Sequence, residues 1–300
     1  MSPASYQTAL LYDISQKKKF LIRETIKKGM INLKTNGIEE PNLKARLLMQ
    51  FILNKPRQYL LIYDNQTLSL RQEVNYFKAI KKIISGVPLQ HITHMQEFMK
   101  MNFYVDENVL IPRSDTEILV EEVINISKKI NAKKILDLCT GSGAIAISLA
   151  KYIENSEITA VDISKKALEI ARTNAKNNDV ENQITFVESD LFKNLKEDKY
   201  DVIVSNPPYI KREVIKKLNK DVQKEPIIAL DGGYDGLDFY RKIINESEKY
   251  LKFNGYLCFE IGYDQKEDVI GIIKNKERYI NTYSKKDLYG NDRIIITKLS

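Results

Sequence analysis

The sequence predicts an α/β protein: a mostly parallel sheet with helices on both faces, preceded by a small helical bundle. Three observations favour this fold. Before about residue 88, apolar residues recur at helical spacing. After about residue 130, short apolar runs alternate with amphipathic stretches, which is typical of alternating strands and helices. A turn with two glycines follows the first of those runs, where parallel sheets bind ligands.

Residues 1–87 are predicted to form the helical bundle, with residues 1–15 as an extension of it. Apolar residues recur at helical spacing in two groups: Leu33, Ile38, Leu43, Leu47, Leu48, Phe51 and Ile52, then Val74, Phe77, Ile80, Ile83 and Ile84. Pro41 suits the first turn of a helix, and Pro56 suits the break after it. The Gly-Val-Pro run at 86–88 then ends the last helix.

Residues 88–112 are predicted to link the bundle to the sheet domain, which occupies residues 113–300. In the linker, Val105 and Val109 flank three polar residues, a pattern that favours a β-hairpin. The predicted strands of the sheet are Lys134–Cys139, Ile158–Asp162, Ile184–Glu188, Tyr200–Ser205, Tyr256–Ile261 and Arg293–Leu299. The predicted helices are Gly143–Glu154, Ser164–Asn177, Leu237–Phe253 and Gln265–Lys274. Candidate site residues are therefore expected at the carboxyl ends of the strands.

The net charge of +7 is concentrated in the N-terminal part of the chain. Residues 1–87 hold 15 Lys and Arg against 6 Asp and Glu, a net of +9, and the rest has a net of −2. Such asymmetry suggests two units with different partners. Two interpretations are open: a solubilising lysine-rich surface, or a basic face that meets RNA or an acidic protein.

The composition also argues against several classes of protein. Cys139 and Cys258 are the two cysteines, both in predicted strands, which favours reduced thiols and a cytoplasmic protein over a disulfide framework. With His91 and His94 as the two histidines, no metal site is expected. No apolar run reaches the roughly 18 residues of a membrane span. The first residues lack the pattern of a secretory signal.

A candidate cofactor loop runs from Asp137 to Ala146, between the first predicted strand and a helix. Gly141 and Gly143 allow a turn too tight for a Cβ, and the helix N-terminus that follows offers free N–H groups. Asp162 ends the second strand, where a carboxylate accepts ribose hydroxyls. This fingerprint fits a nicotinamide dehydrogenase as well as a methyltransferase.

Asp190 and Leu191 follow the third predicted strand and extend the candidate site. The position of Asp190 suits a carboxylate that accepts the adenine amino group, with Leu191 packed beside the ring. An isolated aspartate at a strand end is more typical of a helix cap. Together with the glycine loop and Asp162, however, these residues predict a site for an adenosine cofactor.

The tetrad Asn206-Pro207-Pro208-Tyr209 follows the buried strand Tyr200–Ser205 and indicates the chemistry. Two consecutive prolines fix two φ angles and remove two N–H donors, so the carbonyl of Pro207 is held rigidly. The side-chain oxygen of Asn206 is a second acceptor, and Tyr209 offers a flat face for a planar group. Two fixed acceptors suit an –NH2 group, which has two hydrogens to donate.

An amide nitrogen is a weak nucleophile, because its lone pair is delocalised into its carbonyl. The two acceptors increase its reactivity. Engaging both N–H bonds favours pyramidalisation, and the acceptors stabilise the positive charge that grows on nitrogen during methyl transfer. No base is needed before attack, so the site requires neither a histidine nor a metal. We therefore predict an S-adenosylmethionine-dependent N-methyltransferase. Asn206, Pro207 and Tyr209 are its predicted catalytic residues, and Pro208 also contacts the substrate.

Motifs beyond the tetrad resemble the release-factor glutamine methyltransferases (the HemK/PrmC family), from about residue 20 to the end of the chain. These motifs are Pro88–Ile92, Glu97-Phe98, Val109–Glu117, Glu225-Pro226, Ala229–Leu237, Glu260–Gly262 and Asp292-Arg293. The resemblance implies a Rossmann-like class I methyltransferase domain with a mostly parallel seven-stranded sheet. It also implies the substrate: the glutamine of the Gly-Gly-Gln motif in bacterial class 1 peptide chain release factors, methylated on its side-chain amide nitrogen (N5).

The same resemblance implies a set of site residues and a role for the basic bundle. The implied cofactor-binding residues are Cys139, Thr140, Gly141, Ser142, Gly143, Asp162, Leu191 and Asn206, with Arg113 and Thr116 as supports. Cys139 stands where some relatives have glycine, and Leu191 where some have an aromatic residue. The basic bundle is expected to dock the release factor.

Two alternative substrates are considered. A ribosomal-protein glutamine methyltransferase would share the tetrad and most of the flanking motifs. A DNA adenine-N6 methyltransferase must flip its base out of the duplex and usually carries a large target-recognition domain. Residues 210–255 offer only a short loop and a helix. Sequence-specific binding of nucleic acid is therefore not expected.

Overall fold

The computed structural model describes residues 20–196 and 198–300, and the chain divides into two compact units after Thr93. The extension predicted over residues 1–15 lies outside the described part. None of the described helices is both long and apolar enough to cross a membrane. The roles predicted for the two parts of the chain stay predictions.

The described residues of the first unit form a bundle of helices around a small core. Its helices are α1 (Ile22–Thr35), α2 (Pro41–Leu53), α3 (Arg57–Ile62), α4 (Leu70–Ile84) and α5 (Leu89–Thr93). Tyr76 is fully buried at the centre, and its hydroxyl donates to the carbonyl of Ala45 at 3.2 Å. Gly29 makes room for this ring, because a Cβ there would lie 2.2 Å from the Tyr76 hydroxyl. Ser69 and Gln72 form a capping box that begins α4.

Helix α2 presents a second apolar face to solvent. Leu43, Leu47 and Phe51 lie four residues apart and are 49%, 39% and 44% exposed. Residues spaced by four lie on the same helix face. Their spacing helped to predict the helix, but they do not enter its core, since a bundle this small covers one face of each helix.

The second unit contains a two-stranded hairpin and a seven-stranded sheet. Its strands are β1 (Gln96–Phe98), β2 (Met101–Phe103), β3 (Lys134–Leu138), β4 (Glu157–Asp162), β5 (Ile184–Glu188), β6 (Tyr200–Ser205), β7 (Leu251–Glu260), β8 (Tyr279–Lys286) and β9 (Asp292–Leu299). The sheet order is β5-β4-β3-β6-β7-β9-β8, parallel from β5 through β7 and antiparallel at β9 and β8. The strand order reverses between β3 and β6, which is where such sheets bind ligands.

Helices cover both faces of this sheet, as the sequence predicts. The helices of this unit are α6 (Ser114–Ile130), α7 (Ala144–Tyr152), α8 (Lys165–Asn177), α9 (Arg212–Ile215), α10 (Asp238–Ser247) and α11 (Lys266–Lys274). Val202 and Val204 of β6 join the core under α6, α7 and α8, whereas Ile203 joins the core under α10 and α11. The alternation follows from the two-residue period of a strand, and it makes both faces of the central strands apolar.

The predicted hairpin around residues 106–108 is wrong in its position. The hairpin is formed by β1 and β2, and it turns at Met99 and Lys100, both of which have positive φ. Such turns are usually signalled by glycine or asparagine, so these residues gave no indication. Val105 and Val109 instead pack with Ile111 in a small buried cluster against α8.

Several other element predictions need correction. The helix predicted over Leu237–Phe253 ends at Ser247, because Leu251 already pairs with Tyr200 as the first residue of β7. The first predicted strand ends one residue before Cys139. Strand β8 and helix α6 are not among the predicted elements.

Candidate active site

A cavity of about 310 Å³ lies at the carboxyl ends of the parallel strands. Its volume is within the range of small-molecule sites. Its wall is formed by Asn108, Val109, Leu110, Cys139, Gly141, Val161, Asp162, Ile163, Ser164, Ala167, Ser189, Asp190, Leu191, Asn206, Pro208, Pro226, Ile228, Ala229, Phe239 and Lys242. The residues that follow β3, β4, β5 and β6 therefore meet there, as expected for a parallel sheet.

The glycine loop after β3 contributes Gly141 to the cavity wall. Gly141 has φ +55°, and a Cβ built there would meet no atom within 4 Å, so its open side is available to a ligand. Gly143 has φ +82° and serves packing instead, because a Cβ would lie 2.9 Å from Ile147 and 3.1 Å from Ala171. The two glycines of the motif therefore have different roles.

Asp162 holds the loop in place and also faces the cavity. One carboxylate oxygen accepts the N–H of Gly141 at 2.8 Å, and the other accepts the N–H of Ser164 at 2.8 Å. Burial raises the pKa of Asp162, against the opposing effect of these backbone hydrogen bonds. Each oxygen keeps a second lone pair, so the carboxylate can still accept ligand hydroxyls.

Cys139 and Leu191 both line the cavity in the left-handed backbone region, with φ +61° and +52°. This conformation costs an L-residue about 1–2 kcal/mol relative to glycine. Burial raises the pKa of the Cys139 thiol, which keeps it protonated. Cys139 is thus a neutral part of the wall.

Asp137 is a fully buried carboxylate beneath the loop. One of its oxygens accepts the Thr140 hydroxyl at 2.6 Å and the Ala146 N–H at 3.2 Å. Its other oxygen has no hydrogen-bond partner among the described residues. Burial raises the pKa of Asp137 to about 7, and the two hydrogen bonds only partly oppose this.

The backbone that follows β6 is anchored from several sides. The side-chain amide of Gln265 donates to the Tyr209 carbonyl at 3.0 Å and to the Gly236 carbonyl at 3.1 Å. The N–H of Ile210 donates to the Leu230 carbonyl at 3.0 Å. A Cβ at Gly232 would lie only 2.7 Å from the Cα of Tyr209, so the neighbouring loop packs directly against the tetrad. The rigid acceptor geometry expected from two prolines is thereby reinforced.

A chain of hydrogen bonds connects Asn206 to a buried carboxylate. The side-chain N–H of Asn206 donates to the Thr116 hydroxyl at 3.2 Å. The Thr116 hydroxyl donates to Glu260 at 2.5 Å, and the Tyr209 hydroxyl donates to the other oxygen of Glu260 at 3.2 Å. Helix α6, the end of β6 and the end of β7 thus converge behind the tetrad.

Comparison with known proteins identifies the family. Residues 114–229 match the family described as "Methyltransferase small domain", and residues 24–93 match "PrmC N-terminal domain". The chain is 39% identical over 281 residues to the release factor glutamine methyltransferase of Clostridium acetobutylicum, covering 92% of this chain and 97% of that protein. The chain belongs to the release factor glutamine methyltransferase family.

A second glutamine methyltransferase agrees with this assignment, and a solved structure shares the fold. The release factor glutamine methyltransferase of Fusobacterium nucleatum is 40% identical over 275 residues, which cover 90% of this chain and 77% of that protein. The solved catalytic domain of hMettl16, in complex with MAT2A 3'UTR hairpin 6, is 15% identical with a TM-score of 0.53. That likeness covers 77% of this chain and 82% of that one and concerns the fold alone. The predicted methyltransferase fold is confirmed.

The protein is an S-adenosylmethionine-dependent methyltransferase. The residues at the cavity fit this cofactor. Gly141 leaves an open face for it, and two carboxylates, Asp162 and Asp190, line the wall on neighbouring strand ends. Leu191 and Phe239 supply apolar surface for an adenine ring. The Asp137 oxygen that has no hydrogen-bond partner within residues 20–196 and 198–300 lies beneath the loop.

In this glutamine methyltransferase, some of the predicted site residues line the cavity and others do not. The members in the wall are Cys139, Gly141, Asp162, Asp190, Leu191, Asn206 and Pro208. The remaining members, which are not in the wall, are Arg113, Thr116, Thr140, Ser142, Gly143, Pro207 and Tyr209. Arg113 forms an ion pair with the buried Glu225, and Thr116 bonds Asn206 and Glu260.

Several residues that shape the site have no local signal of their role in the sequence. Glu225 and Glu260 lie in motifs that carry the family resemblance, but their partners are 112 and 144 residues away along the chain. The sequence predicts Gln265 only as the first residue of a helix. Phe239 and Lys242 of α10 line the cavity through the packing of that helix, and no local motif indicates this.

Proposed function

We propose that this enzyme transfers a methyl group to the side-chain amide nitrogen (N5) of the glutamine in the Gly-Gly-Gln motif of bacterial class 1 release factors. One observation supports this most: the hydrogen bond from Asn206 to Thr116 leaves the Asn206 oxygen free to accept from an –NH2 group. The relatives named as release factor glutamine methyltransferases supply the substrate class.

The tetrad would act on the amide by accepting both of its N–H bonds. Asn206 offers its side-chain oxygen, and Pro207 offers a carbonyl fixed by two prolines in succession. These acceptors favour a pyramidal nitrogen with its lone pair free, and they stabilise positive charge on that nitrogen in the transition state. Holding both reactants in line could contribute about 7–11 kcal/mol to lowering the barrier.

Bound S-adenosylmethionine supplies a sulfonium methyl group: the N–C bond forms as the S–C bond breaks, its electron pair goes to sulfur, and S-adenosylhomocysteine remains. The amide nitrogen then carries an extra proton. That proton is far more acidic than a neutral amide N–H, so it leaves to solvent without a dedicated base. Burial raises the pKa of the Tyr209 hydroxyl, which therefore stays neutral and serves as a hydrogen-bond donor to Glu260.

We also propose that the N-terminal unit docks the release factor. This unit exposes both lysines and the apolar stripe of α2, the two kinds of group that such docking would use. Charge of one sign raises the rate of encounter with an oppositely charged partner, and apolar groups add affinity once the partners are docked.

The test is methyl transfer from labelled S-adenosylmethionine to a purified class 1 release factor. Parallel reactions contain the same factor with its motif glutamine changed to alanine, a ribosomal-protein mixture, and duplex DNA. We expect label on the intact factor alone. The enzyme variant Asn206→Ala should lower kcat by roughly 10²–10³ and leave the affinity for S-adenosylhomocysteine within about threefold.

Each of the other outcomes would contradict a different part of the proposed function. Label on ribosomal protein would favour the ribosomal-protein glutamine methyltransferase, and label on DNA would favour an adenine-N6 methyltransferase. Label on the alanine variant of the factor would place the acceptor outside the Gly-Gly-Gln motif. Unchanged turnover in Asn206→Ala would remove Asn206 from catalysis.

A further inference from the structure

Glu260 is a buried carboxylate that does not line the cofactor cavity. It is 1% exposed at the last position of β7. Its two oxygens accept from different groups: one from the Thr116 hydroxyl at 2.5 Å, the other from the Tyr209 hydroxyl at 3.2 Å. Its backbone carbonyl also accepts the hydroxyl of the fully buried Tyr240 at 2.9 Å. Two hydroxyls therefore hold the carboxylate of Glu260, and a third holds its backbone.

Proton counting gives this chain of hydrogen bonds a direction. An ionised carboxylate only accepts, and a threonine hydroxyl has a single hydrogen. Thr116 gives that hydrogen to Glu260, so towards Asn206 it can only accept. The group of Asn206 that faces Thr116 must then be its –NH2, at 3.2 Å. The oxygen of the same amide is thereby turned to the other side.

We propose that Glu260 is a positioning residue for the methyl-transfer reaction, which acts through Thr116 to hold the Asn206 oxygen towards the substrate. This inference rests on the function proposed above. The substrate amide presents two N–H donors, so a reversed Asn206 would oppose them with its own –NH2 group. A wrongly oriented amide removes one acceptor and adds a repulsive donor. The other oxygen of Glu260 accepts from the Tyr209 hydroxyl and so fixes the direction of that hydrogen bond as well.

The ionisation state of Glu260 decides this direction. A protonated Glu260 could donate to Thr116, whose hydrogen would then be free to turn to Asn206 and reverse its amide. Burial raises the pKa of Glu260, and the carboxylate of Asp115 on α6 acts in the same sense. The guanidinium of Arg293 on β9 and the hydroxyls of Thr116 and Tyr209 lower it. Turnover should therefore fall on the acid side as Glu260 takes up a proton.

The test compares Glu260→Gln with Glu122→Gln in the full-length enzyme. Glutamine keeps the size of Glu260 but donates as well as accepts, so the chain of hydrogen bonds loses its direction. Glu122 is the matched control: a buried carboxylate that also accepts a tyrosine hydroxyl, that of Tyr283 at 2.7 Å, but lies outside the cavity wall. The readouts are kcat across pH, KM for the release factor, affinity for S-adenosylhomocysteine, and Tm.

Glu260→Gln should lower kcat by roughly 10–100-fold, less than complete loss of an electrostatic group, and abolish the acid limb of the kcat profile. Affinity for S-adenosylhomocysteine should stay within about threefold, since the carboxylate does not face the cavity. Glu122→Gln should keep both kcat and the acid limb. A merely structural Glu260 would change Tm or the folded fraction, whereas the pH profile of the folded enzyme would stay as in the wild type.

A pair of substitutions at Thr116 tests the intermediate link. Thr116→Val removes the hydroxyl at constant shape and should reproduce the kcat loss of Glu260→Gln, with little further loss when the two are combined. Thr116→Ser restores the hydroxyl and should recover most of that loss. Wild-type turnover and an unchanged acid limb in Glu260→Gln would overturn the proposal. A wild-type enzyme that leaves the release factor unmethylated would instead overturn the proposed function.

Discussion

Asp137 shows at the scale of one residue how the cofactor loop is held. Its carboxylate is fully buried and joins the Thr140 hydroxyl to the N-terminus of α7 through the Ala146 N–H. The sequence assigned it only to the start of the loop. Removal from water disfavours the charged form of an acid, so the pKa rises from 3.8 to about 7.

This raised pKa predicts a pH-dependent stability. The folded state binds the proton more tightly than the unfolded state, so the contribution of Asp137 is complete below about pH 4 and is lost as the pH rises through about 7. Asp137→Asn is neutral at every pH. As the pH rises from 4 to 8, the free energy of unfolding of Asp137→Asn should therefore increase relative to that of the wild type, by at most about 4 kcal/mol.

Urea denaturation of the cofactor-free protein at several pH values measures this difference. Asp179→Asn, at an exposed position, is the matched control for the same chemical change. If the curves of Asp137→Asn and wild type ran parallel from pH 4 to 8, Asp137 would not titrate in that range.

Residues with a local sequence signal were the ones that could be predicted. Gly141 and Asn206 follow strands, Asp162 ends one, and all three line the cavity. Glu260 and Gln265 could not be assigned in this way, because their partners come from distant segments and depend on the packing of whole elements. Cys139 is a further exception, since its left-handed φ could be inferred only from the glycine of relatives.

At the scale of elements, the segment that contains the short helical turns Val222–Lys224 and Ile227–Ala229 forms one side of the cavity. Glu225 attaches this segment to the chain before α6. It accepts the N–H of Ile111 at 2.9 Å and pairs with the guanidinium of Arg113. Burial raises the pKa of Glu225, whereas Arg113 lowers it. The attachment places Pro226, Ile228 and Ala229 against the ligand space.

Glu225→Ala should release this segment and weaken cofactor binding. Losing a buried acceptor of charge-assisted hydrogen bonds costs about 1.5–3 kcal/mol, so affinity for S-adenosylhomocysteine should fall by at least about tenfold. Calorimetry measures the affinity, and hydrogen exchange should become faster in residues 222–230. Glu213→Ala removes an exposed carboxylate of α9 and is the control. Unchanged exchange in Glu225→Ala would contradict the attachment.

The elements that could be predicted are those with a strong local pattern. Strands β3, β4 and β6 lie inside the sheet between two cores, so each is an apolar run. Strand β8 is at the edge and buries only Tyr279 fully, so it lacks that pattern. Helix α6 did carry a signal, since Leu119, Val123 and Ile126 recur at helical spacing.

At the scale of the whole molecule, positive charge and catalytic chemistry are assigned to different units. The excess of Lys and Arg lies in the N-terminal part of the chain, whereas the cavity, the tetrad and Glu260 belong to the second unit. The sequence left a solubilising surface and a docking face as open interpretations. Solubility alone does not explain why α2 of the same unit exposes Leu43, Leu47 and Phe51.

If the charge serves docking, neutralising it should affect the protein substrate and spare a peptide. Changing Lys27, Lys34, Lys81 and Lys82, all exposed on α1 and α4, to glutamine should raise KM for the release factor by about tenfold at low salt. The effect should shrink as salt screens the remaining charge. A short Gly-Gly-Gln peptide should keep its KM, because it reaches only the catalytic unit.

Neutralising Lys128, Lys129, Lys249 and Lys274 of the second unit is the matched control. An unchanged KM for the release factor would leave solubility as the role of the basic charge, and equal increases for factor and peptide would also contradict docking.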